Sequence, residues 1–504
     1  MKTQYAADVL ICGAGAAGLM LAIELARRGI SFRLIEKMAR PFAGSRGKGI
    51  QPRTQEIFED LGILDRIVAA GGPYPPQRSY HEDGSSTDTD VMAHDAPTPA
   101  EPYRLPLMVP QFLTEGVLRD RLAELGHRPD FGCELVGFEQ DADCVTARLS
   151  GTAGDEVVRV RHLVAADGGR SFVRHALDIG FPGKTLGVRA VVADVVLTGL
   201  TRDAWHRFNE SSMARQMSLC PLAGTELFQL QAPIPLEGSV DLSAAGLNAM
   251  VAERTGRSDI HIEAVSWASA FSMNARLAER YRVGRVFLVG DAAHVHPPTG
   301  GQGLNTSVQD AYNLGWKLAA VTAGAPDVLL DSYEQERRPI AAAMLGLATR
   351  LLDAAKQGDI RRGREVHQLD LGYPESPLSL EAPPRAHGRL AGDRAPDAPL
   401  RGAAGSWTRL FHLFQGTHWT LLGDHTVRDA VPPRPGLRIH TVGARGDFID
   451  EAGHVRDAYA LAPGEALLVR PDGYVGAFAG TAHRDALASY LRQVGLGEEM
   501  FIAV

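Results

Sequence analysis

Short apolar runs and helically spaced apolar residues alternate at the start of the chain. Residues 7–12 (ADVLIC) form a β-branched apolar run, residues 16–28 carry apolar side chains at helical spacing, and residues 32–36 (FRLIE) form a second run. This order predicts a strand, a helix and a second strand, joined by a right-handed crossover in a parallel sheet. Residues 111–125 are predicted to form a further helix, because their apolar positions share one face.

Alternating patterns replace this character in the middle of the chain. The runs RAVVADVVL and ELFQLQAPI are typical of an antiparallel sheet with one covered face, which predicts a separate middle domain. Parallel α/β character returns at residues 285–294 and is followed by a predicted helix at 304–321. The first domain is therefore expected to be discontinuous in sequence and to carry the middle sheet as an insertion.

The predicted units differ in composition and periodicity. They are an α/β domain at residues 1–75, 103–175 and 281–373, an irregular excursion rich in Pro, Ser, Asp and Thr at 76–102, the middle sheet at 176–280, a proline-rich linker at 374–400, and a small C-terminal domain with short strands at 401–504.

Composition and charge exclude several classes of protein. The 504 residues are 45% hydrophobic and 22% charged with a net charge of −8, which gives no basic footprint for nucleic acid or an anionic membrane. No run of about 18 apolar residues predicts a membrane span, and the N-terminal run is too short for a signal peptide. The four cysteines lie far apart, which predicts a reducing compartment, and we expect a cytoplasmic protein.

A glycine fingerprint lies between the first predicted strand and helix. In GAGAAG, Gly13 allows the tight turn, Gly15 lets the backbone approach a pyrophosphate, and Gly18 permits close helix–strand packing. Glu36 ends the second strand about 20 residues further on, where a carboxylate can accept hydrogen bonds from a ribose. A glycine turn without a ligand is the alternative, but this context favours a dinucleotide, either FAD or NAD.

Two further segments bear on the choice between these dinucleotides. VAADGGRSFVR places Asp167 and Gly168 after a short strand, and GDAAHVHPPTGGQGLN places Asp291 after another. The second segment ends in a glycine-rich loop that includes Gly301 and Gly303 and opens a helix. Such a loop can direct backbone N–H groups and the helix dipole at the negatively charged edge of a reduced flavin.

With these three segments, the sequence resembles the class A flavoprotein aromatic hydroxylases, of which p-hydroxybenzoate hydroxylase is the best-known type. It is most similar to the branch of phenol, phenylpropionate and aromatic-polyketide hydroxylases that carry an added C-terminal domain. The resemblance covers essentially the whole chain. It implies an α/β fold with a Rossmann-like FAD-binding domain, an inserted antiparallel-sheet substrate domain and a C-terminal thioredoxin-like domain.

The resemblance also implies roles for individual residues around the flavin. It implies that Gly13, Gly15 and Gly18 approach the diphosphate, that Glu36 binds the adenosine ribose, and that Arg46 and Gln111 contact the ribityl or diphosphate region. It implies that Asp167 and Gly168 contact both FAD and NAD(P)H, and that Asp291 binds the ribityl chain. It further implies that the pyrimidine ring is bordered by Gly301, Gly303, Leu304 and Asn305, and that Pro298 faces the flavin C4a atom. Arg46 and Pro298 are therefore the expected catalytic positions, and no acid or base is identified.

The reaction that the resemblance implies uses noncovalent FAD. NADPH or NADH reduces the flavin, O2 adds at C4a, and the hydroperoxide transfers oxygen to a phenolic or polyketide-type aromatic ring. The substrate is expected between the middle sheet and the flavin. The candidate substrate residues, whose facing depends on strand register, are Arg189, Trp205, Phe228, Gln229 and Gln231.

Several alternatives and exclusions accompany this interpretation. Baeyer–Villiger or enol oxygenation would use the same flavin chemistry, and a non-catalytic FAD-binding sensor or assembly module would bind flavin without turnover. A halogenase is disfavoured because the WxWxIP signature is absent. His294 and His296 have no third nitrogen or sulfur ligand beside them, so no metal is predicted. No cysteine follows Cys220, so the C-terminal domain is expected to serve structure or assembly, and a homodimer is left open.

Overall fold

The structure is a computed structural model, and it describes residues 5–92, 95–152, 154–212, 214–356, 361–402 and 404–497. Within these ranges, no helix combines the length and the apolar character that crossing a membrane requires.

The helices and strands alternate in the order that an α/β chain with an inserted sheet requires. The helices are α1 (Ala16–Arg27), α2 (Pro52–Asp60), α3 (Leu64–Ala70), α4 (Gln111–Glu124), α5 (Phe172–Ala176), α6 (Ala244–Thr255), α7 (Gln302–Thr322), α8 (Asp331–Lys356), α9 (Leu410–Phe414), α10 (Val427–Ala430), α11 (His454–Tyr459) and α12 (Arg484–Gln493). The strands are β1 (Ala7–Cys12), β2 (Phe32–Glu36), β3 (Gly49–Ile50), β4 (Gly72–Pro73), β5 (Gln77–Tyr80), β6 (Ser86–Thr89), β7 (Leu107–Met108), β8 (Asp130–Phe131), β9 (Cys133–Gln140), β10 (Val145–Gly151), β11 (Gly154–Ala165), β12 (Gly183–Thr198), β13 (Trp205–Phe208), β14 (Met217–Pro221), β15 (Phe228–Ile234), β16 (His261–Leu277), β17 (Arg282–Val283), β18 (Val286–Leu288), β19 (His294–Val295), β20 (Leu380–Ala382), β21 (Pro399–Gly402), β22 (Trp407–Arg409), β23 (Trp419–Gly423), β24 (Leu437–Thr441), β25 (Phe448–Ile449), β26 (Glu465–Val469) and β27 (Val475–Gly480).

The first domain is built on a largely parallel sheet. The strand order is β17–β18–β11–β1–β2–β8, and β1 pairs in parallel with both β2 and β11. Val9, Leu10 and Ile11 of the central strand are fully buried, as expected for a parallel strand covered on both faces. The predicted strand–helix–strand unit is present, β17 and β18 join the same sheet from a distant part of the chain, and the α/β fold class is confirmed.

The inserted sheet packs one face on α6. Its strand order is β19–β16–β12–β15–β14–β13–β5–β6. The last two strands come from residues 76–102, where the sequence predicted an irregular excursion. That prediction was wrong for Gln77–Tyr80 and Ser86–Thr89, which form a hairpin whose first strand pairs with β13. Polar hairpins of this kind gain their order from the neighbouring strand rather than from an apolar pattern of their own.

The C-terminal domain has a mixed sheet in the order β20–β27–β26–β23–β24. Strands β23 and β24 are parallel, whereas β26 is antiparallel to β23 and β27. The predicted linker at 374–400 contributes β20 to this sheet and buries Leu378 and Ala398. This segment is therefore part of the folded domain, because its scattered apolar residues fill the domain core despite the prolines around them.

A buried cluster of charges joins the C-terminal domain to the first domain. Arg470 donates two hydrogen bonds to the Glu336 carboxylate, at 2.7 and 2.9 Å, and two more to Asp472. Lys317 donates to the same glutamate at 2.6 Å. We call Lys317, Glu336, Arg470 and Asp472 the junction cluster. Burial lowers the pKa of Lys317 to about 8 despite the attraction of Glu336, as expected for an ammonium group taken out of water.

Candidate functional site

The glycine fingerprint forms a tight turn between β1 and α1. Gly13 has a φ of +104°, and a β-carbon there would lie 2.2 Å from the carbonyl oxygen of Ala166. A β-carbon on Gly18 would lie 1.9 Å from the carbonyl oxygen of Gly13. At Gly15 the nearest atom to such a β-carbon is a Glu115 carboxylate oxygen at 3.8 Å, an ordinary van der Waals contact, so a β-carbon would cause no collision there. The packing of the protein thus requires glycine at positions 13 and 18, whereas Gly15 leaves room for a ligand.

The N-terminus of α1 can receive an anion. Its cap residue, Gly15, provides no side-chain hydrogen bond, and its first turn contains no acidic residue. The unpaired N–H groups and the helix dipole therefore remain available to a phosphate.

Glu36 is held beside this turn by two backbone amides. Ala14 N–H and Met38 N–H each donate to one of its carboxylate oxygens at 2.9 Å. These bonds fix the carboxylate while each oxygen keeps a lone pair, so it can still accept from a hydroxyl group.

Gln111 opens α4 and turns its side chain toward the same region. Its Nε2 donates at 2.8 Å to Glu115, a buried glutamate that the sequence reasoning did not single out. Burial raises the pKa of Glu115, opposed by the bond from Gln111.

Asp167 and Gly168 follow β11 directly. Val173 N–H donates to Asp167 at 3.2 Å, and burial raises the pKa of this carboxyl. Gly168 has a φ of +81°, and a β-carbon there would contact nothing within 4 Å. Both residues therefore border open space at the carboxyl end of the parallel sheet, where ligands of such folds bind.

Asp291 lies in the short turn Gly290–Ala292 and is exposed. The surrounding protein restricts the hydration of its carboxyl and raises its pKa, with the charges of His294 and Arg46 acting in the opposite direction. The turn is held from behind by the buried Asp310, which accepts from Gly290 N–H at 3.2 Å and pairs with His294 at 2.6 Å. His294 therefore has a positioning contact, and no group of three His, Cys, Asp or Glu side chains resembling a metal site occurs among the described residues.

The loop between Pro298 and α7 approaches the turn with two left-handed glycines. Gly300 has a φ of +78° and Gly301 a φ of +65°. The helix then starts at Gln302 without a side-chain cap or an acidic first turn, which leaves its N–H groups for a ligand. A β-carbon on Gly303 would find its nearest neighbour 4.0 Å away, so this surface is also open. Pro298 is exposed.

The side chain of Asn305 is completely buried. Its Oδ1 accepts from Gln51 N–H at 2.9 Å, and its Nδ2 donates to the carbonyl oxygens of Gly49 and Gly301 at 2.8 and 2.7 Å. The side chain therefore ties β3 to the glycine loop, and only its backbone can face a flavin. Leu304 packs over Gly47.

Arg46 is exposed above a pair of aromatic rings. Its guanidinium lies 5.2 Å from the Phe42 ring centroid and 5.8 Å from that of Trp267. The preceding residue, Ser45, is fixed to the inserted sheet by the buried carboxylate of Asp194. The Ser45 N–H donates to one carboxylate oxygen at 2.7 Å, and the Ser45 hydroxyl donates to the other. The only sign of Asp194 in the sequence is that it is an acidic residue within an apolar run.

The face of the inserted sheet that meets residues 42–48 is polar, and we call it the inner face. Asp194, Trp267, Gln229 and Cys220 stand opposite one another in register across four strands, so their side chains share this face. Gln229 donates to the Ser45 hydroxyl at 3.0 Å, and Gln231 donates to Gln229 at 2.8 Å.

Trp205 also meets the segment at residues 42–48. The ammonium group of Lys48 lies 4.2 Å from the Trp205 ring centroid. Three of the five substrate candidates, Trp205, Gln229 and Gln231, are therefore near the residues expected to hold the flavin.

The structure removes the other two substrate candidates. Phe228 is buried in the core beneath α6, together with Leu230 on the same strand face. Arg189 donates to the carbonyl oxygens of Pro235 and Gly238, so it supports a loop at the edge of the sheet. Both predictions were wrong because strand register, which the sequence pattern alone does not reveal, decides which residues of a strand face the core.

These features together define a class of protein. An α/β domain presents a tight glycine turn, a carboxylate fixed by two backbone amides and a second helix N-terminus without a side-chain cap, and an inserted sheet lies against it. This arrangement fits FAD, since the diphosphate, the ribose and an electron-rich ring edge each meet a matching group. The class is that of flavoprotein monooxygenases with an inserted substrate sheet.

Comparison with known proteins identifies the family. Residues 6–348 match the model of the FAD binding domain, and residues 388–496 match that of the aromatic-ring hydroxylase C-terminal region. The chain belongs to this family of FAD-dependent aromatic-ring hydroxylases. The predicted class A membership, the enzymatic character and the binding of FAD are confirmed.

Individual relatives cover nearly the whole chain. A flavin-dependent monooxygenase of Mycobacteroides abscessus is 42% identical over 93% of this chain and 96% of its own length. The 12-dehydrotetracycline 5-monooxygenase/anhydrotetracycline 6-monooxygenase of Streptomyces rimosus is 36% identical, with 93% and 94% covered. The crystal structure of the monooxygenase PieE with FAD and substrate has a TM-score of 0.86 at 26% identity, covering 97% and 99% of the two chains.

Proposed function

We propose that this protein uses NAD(P)H and O2 to hydroxylate a phenolic or polyketide-type aromatic substrate. The observation that carries the proposal is the position of the inner face, which brings Trp205, Gln229 and Gln231 to the segment containing Arg46. An aromatic wall and amide groups suit a flat ring that carries oxygen substituents.

The relatives support this substrate class by their names. They include an anhydrotetracycline monooxygenase, a 6-methylpretetramide 4-monooxygenase and a rifampicin monooxygenase. The solved structures include aklavinone-11 hydroxylase in complex with FAD and aklavinone. Oxygen-rich polycyclic aromatics are thus a recurring substrate class among similar chains, and we extend this class to the present protein.

The residues of this chain would divide the work of holding the cofactor. The start of α1 at Gly15 would receive the diphosphate, Glu36 the adenosine ribose, and Asp291 the ribityl chain. Asp167 and Gly168 would line the same channel. The backbone of the loop from Gly301 through Gly303 and Leu304 to Asn305, with the N-terminus of α7, would hold the pyrimidine edge of the ring.

Bound FAD supplies the hydride acceptance and oxygen activation at C4a that the family resemblance implies. The overall reaction consumes NAD(P)H, O2 and a proton, and it yields the hydroxylated ring, NAD(P)+ and water. Pro298 and Arg46 would position the reacting ring system. We further propose that the protein is cytoplasmic. We also propose that its C-terminal domain is thioredoxin-like and has a structural role or a role in assembly, which includes the formation of a homodimer.

The test is a panel of phenols and polyketide-type aromatics screened for accelerated NADPH and NADH consumption. Product formed under labelled oxygen should carry one labelled atom on the ring. A labelled lactone or ester would indicate Baeyer–Villiger oxidation instead. Bound flavin with no substrate-stimulated consumption across the panel would favour a non-catalytic FAD-binding module and contradict the proposal.

A further inference from the structure

Tyr74 places its hydroxyl at the glycines that border the predicted flavin position. It follows β4, and its Oη lies 2.7 Å from the point that a β-carbon on Gly49 would occupy. The same point is 4.0 Å from the Cα of Gly301. Asn305 ties these two glycines together through their carbonyl oxygens. The Tyr74 hydroxyl therefore lies where β3 meets the glycine loop, in space that only a glycine at position 49 leaves free.

The inner face of the inserted sheet approaches the same place. Lys48, the neighbour of Gly49, reaches over the Trp205 ring at 4.2 Å. On the other side, a β-carbon on Gly72 would lie 3.5 Å from the β-carbon of Ala223, just beyond the end of β14. Tyr74 thus stands between the segment expected to hold the flavin and the sheet expected to hold the substrate.

The hydroxyl of Tyr74 has no hydrogen bond to any residue that the structure describes, although the side chain is only partly exposed. Burial raises the pKa of Tyr74 well above its usual range, the Cys220 thiol adds to this shift, and Arg362 opposes it. The group therefore remains protonated at neutral pH and acts as a donor. Its oxygen is not fully enclosed, so an oxygen atom of a ligand can take the place of water and accept this bond.

We propose that the Tyr74 hydroxyl donates a hydrogen bond to an oxygen atom of the aromatic substrate and so positions the ring beside the flavin loop. The acceptor is a phenolic, phenolate or carbonyl oxygen. This inference rests on the proposed function, because it assigns one contact within the same site. A larger residue at position 49 would displace the hydroxyl.

The experiment uses the FAD-bound protein and two probes of matched size, 1-naphthol and 1-methylnaphthalene. Binding is followed by the change in flavin absorbance without NAD(P)H. Wild-type protein should bind 1-naphthol more tightly than 1-methylnaphthalene, and Tyr74→Phe should reduce this preference about fivefold to tenfold. FAD content and melting temperature should remain at wild-type values, because the phenyl ring keeps its packing.

A matched control and a second variant make the result specific. Tyr80→Phe removes a hydroxyl that bonds His206 at 2.9 Å on the opposite side of the sheet, so the preference should not change. Gly49→Ala should reduce the preference as Tyr74→Phe does, since its β-carbon would take the place of the hydroxyl. The double variant Gly49→Ala with Tyr74→Phe should lose little more than either single variant.

The outcomes separate this inference from the proposed function. Equal preference in wild type and Tyr74→Phe, or a wild type that does not distinguish the probes, would overturn the role of Tyr74. Ring hydroxylation in the panel of aromatics would then still support the proposed function. A wild type that neither binds nor hydroxylates any aromatic compound would overturn both.

Discussion

The residues proposed to hold FAD, which we call the cofactor cradle, and the inner face of the inserted sheet are built in different ways. The cofactor cradle consists of Gly13, Gly15, Gly18, Glu36, Asp291 and the loop from Gly301 to Asn305. In the cradle, backbone geometry determines the shape of the site, as at Gly13, whose φ of +104° and contact with Ala166 leave no space for a side chain. On the inner face, hydrogen bonds between side chains determine the structure, as among Asp194, Ser45 and Gln229. A cradle of backbone groups suits one invariant cofactor, whereas a face of side chains can be changed residue by residue to suit a substrate.

The strongest way to break the cradle is to add one methyl group at Gly13. Gly13→Ala should destabilise the protein by about 3 kcal/mol or more, because the new β-carbon would collide with backbone and the φ is strained. Urea unfolding of the flavin-free protein measures this loss. Gly15→Val is the matched variant, since a β-carbon at position 15 meets no atom closer than 3.8 Å.

For Gly15→Val we expect unchanged stability of the flavin-free protein and loss of bound FAD, seen as colourless protein. If Gly15→Val kept a full complement of FAD, the diphosphate would have to bind elsewhere. If Gly13→Ala were as stable as wild type, the backbone requirement inferred here would be wrong.

The second prediction concerns the junction cluster, which fixes α7, the helix that starts at the glycine loop. Arg470→Met should cost about 3–5 kcal/mol of unfolding free energy, because Glu336 and Asp472 would lose the buried cation between them. Arg401→Met is the control within the same domain. Its pair with Glu451 is exposed, so we expect a loss of at most about 1 kcal/mol.

Chemical unfolding and FAD retention after gel filtration check this prediction together. We expect Arg470→Met to lose flavin more readily than Arg401→Met, since a loosened α7 would no longer hold the glycine loop. Equal behaviour of the two variants would show that the cradle does not depend on the C-terminal domain.

The difference between the two regions also explains what could be predicted from the sequence. The turn at Gly13, Gly15 and Gly18 was predictable because local backbone demands leave a fixed glycine spacing. Phe228 was misplaced because register, which depends on neighbouring strands, decides which side of a strand faces the core.

Other functional contacts left no local signal at all. Asp194 and Tyr74 gain their surroundings from segments far away in the chain, so no motif marks them. The hairpin at Gln77–Tyr80 and Ser86–Thr89 was missed for the same reason, since its order comes from pairing with β13.

The third prediction tests a polar group buried inside the domain that carries the cradle. His162 lies in β11, the strand that leads to Asp167, and its two ring nitrogens have no hydrogen-bond partner among the described residues. Burial lowers its pKa to about 4, with the positive charge of Arg285 adding to the shift. His162 therefore becomes protonated below about pH 6.5 in the unfolded chain but only near pH 4 in the folded protein. Because the unfolded chain binds the proton more readily, the stability of the protein falls as the pH drops from 6.5 to 4.

Replacing this imidazole should flatten the pH dependence of stability. Between pH 7.5 and pH 5, the free energy of unfolding of His162→Leu should fall by about 2 kcal/mol less than that of the wild-type protein. Urea unfolding at the two pH values gives the comparison, and His81→Leu, at an exposed position, serves as the control. The same decline in wild type and His162→Leu would mean that other groups cause the acid sensitivity.

The smallest effect is expected where the two regions touch, at Ser45. Ser45→Ala removes the hydroxyl that bonds Asp194 and Gln229 but keeps the backbone N–H bond to Asp194. The segment that carries Arg46 should become less firmly placed, and we expect FAD to bind roughly threefold to tenfold more weakly, which is the effect of losing about one hydrogen bond. Ser150→Ala is the control, because its hydroxyl also bonds a carboxylate, that of Asp155 at 2.7 Å, but on the exposed edge of the first domain. Titration of flavin-free protein with FAD, followed by flavin fluorescence, measures both affinities. If Ser45→Ala and Ser150→Ala bound FAD equally well, the side chains of the inner face would serve the substrate alone, and the cradle would hold its cofactor without them.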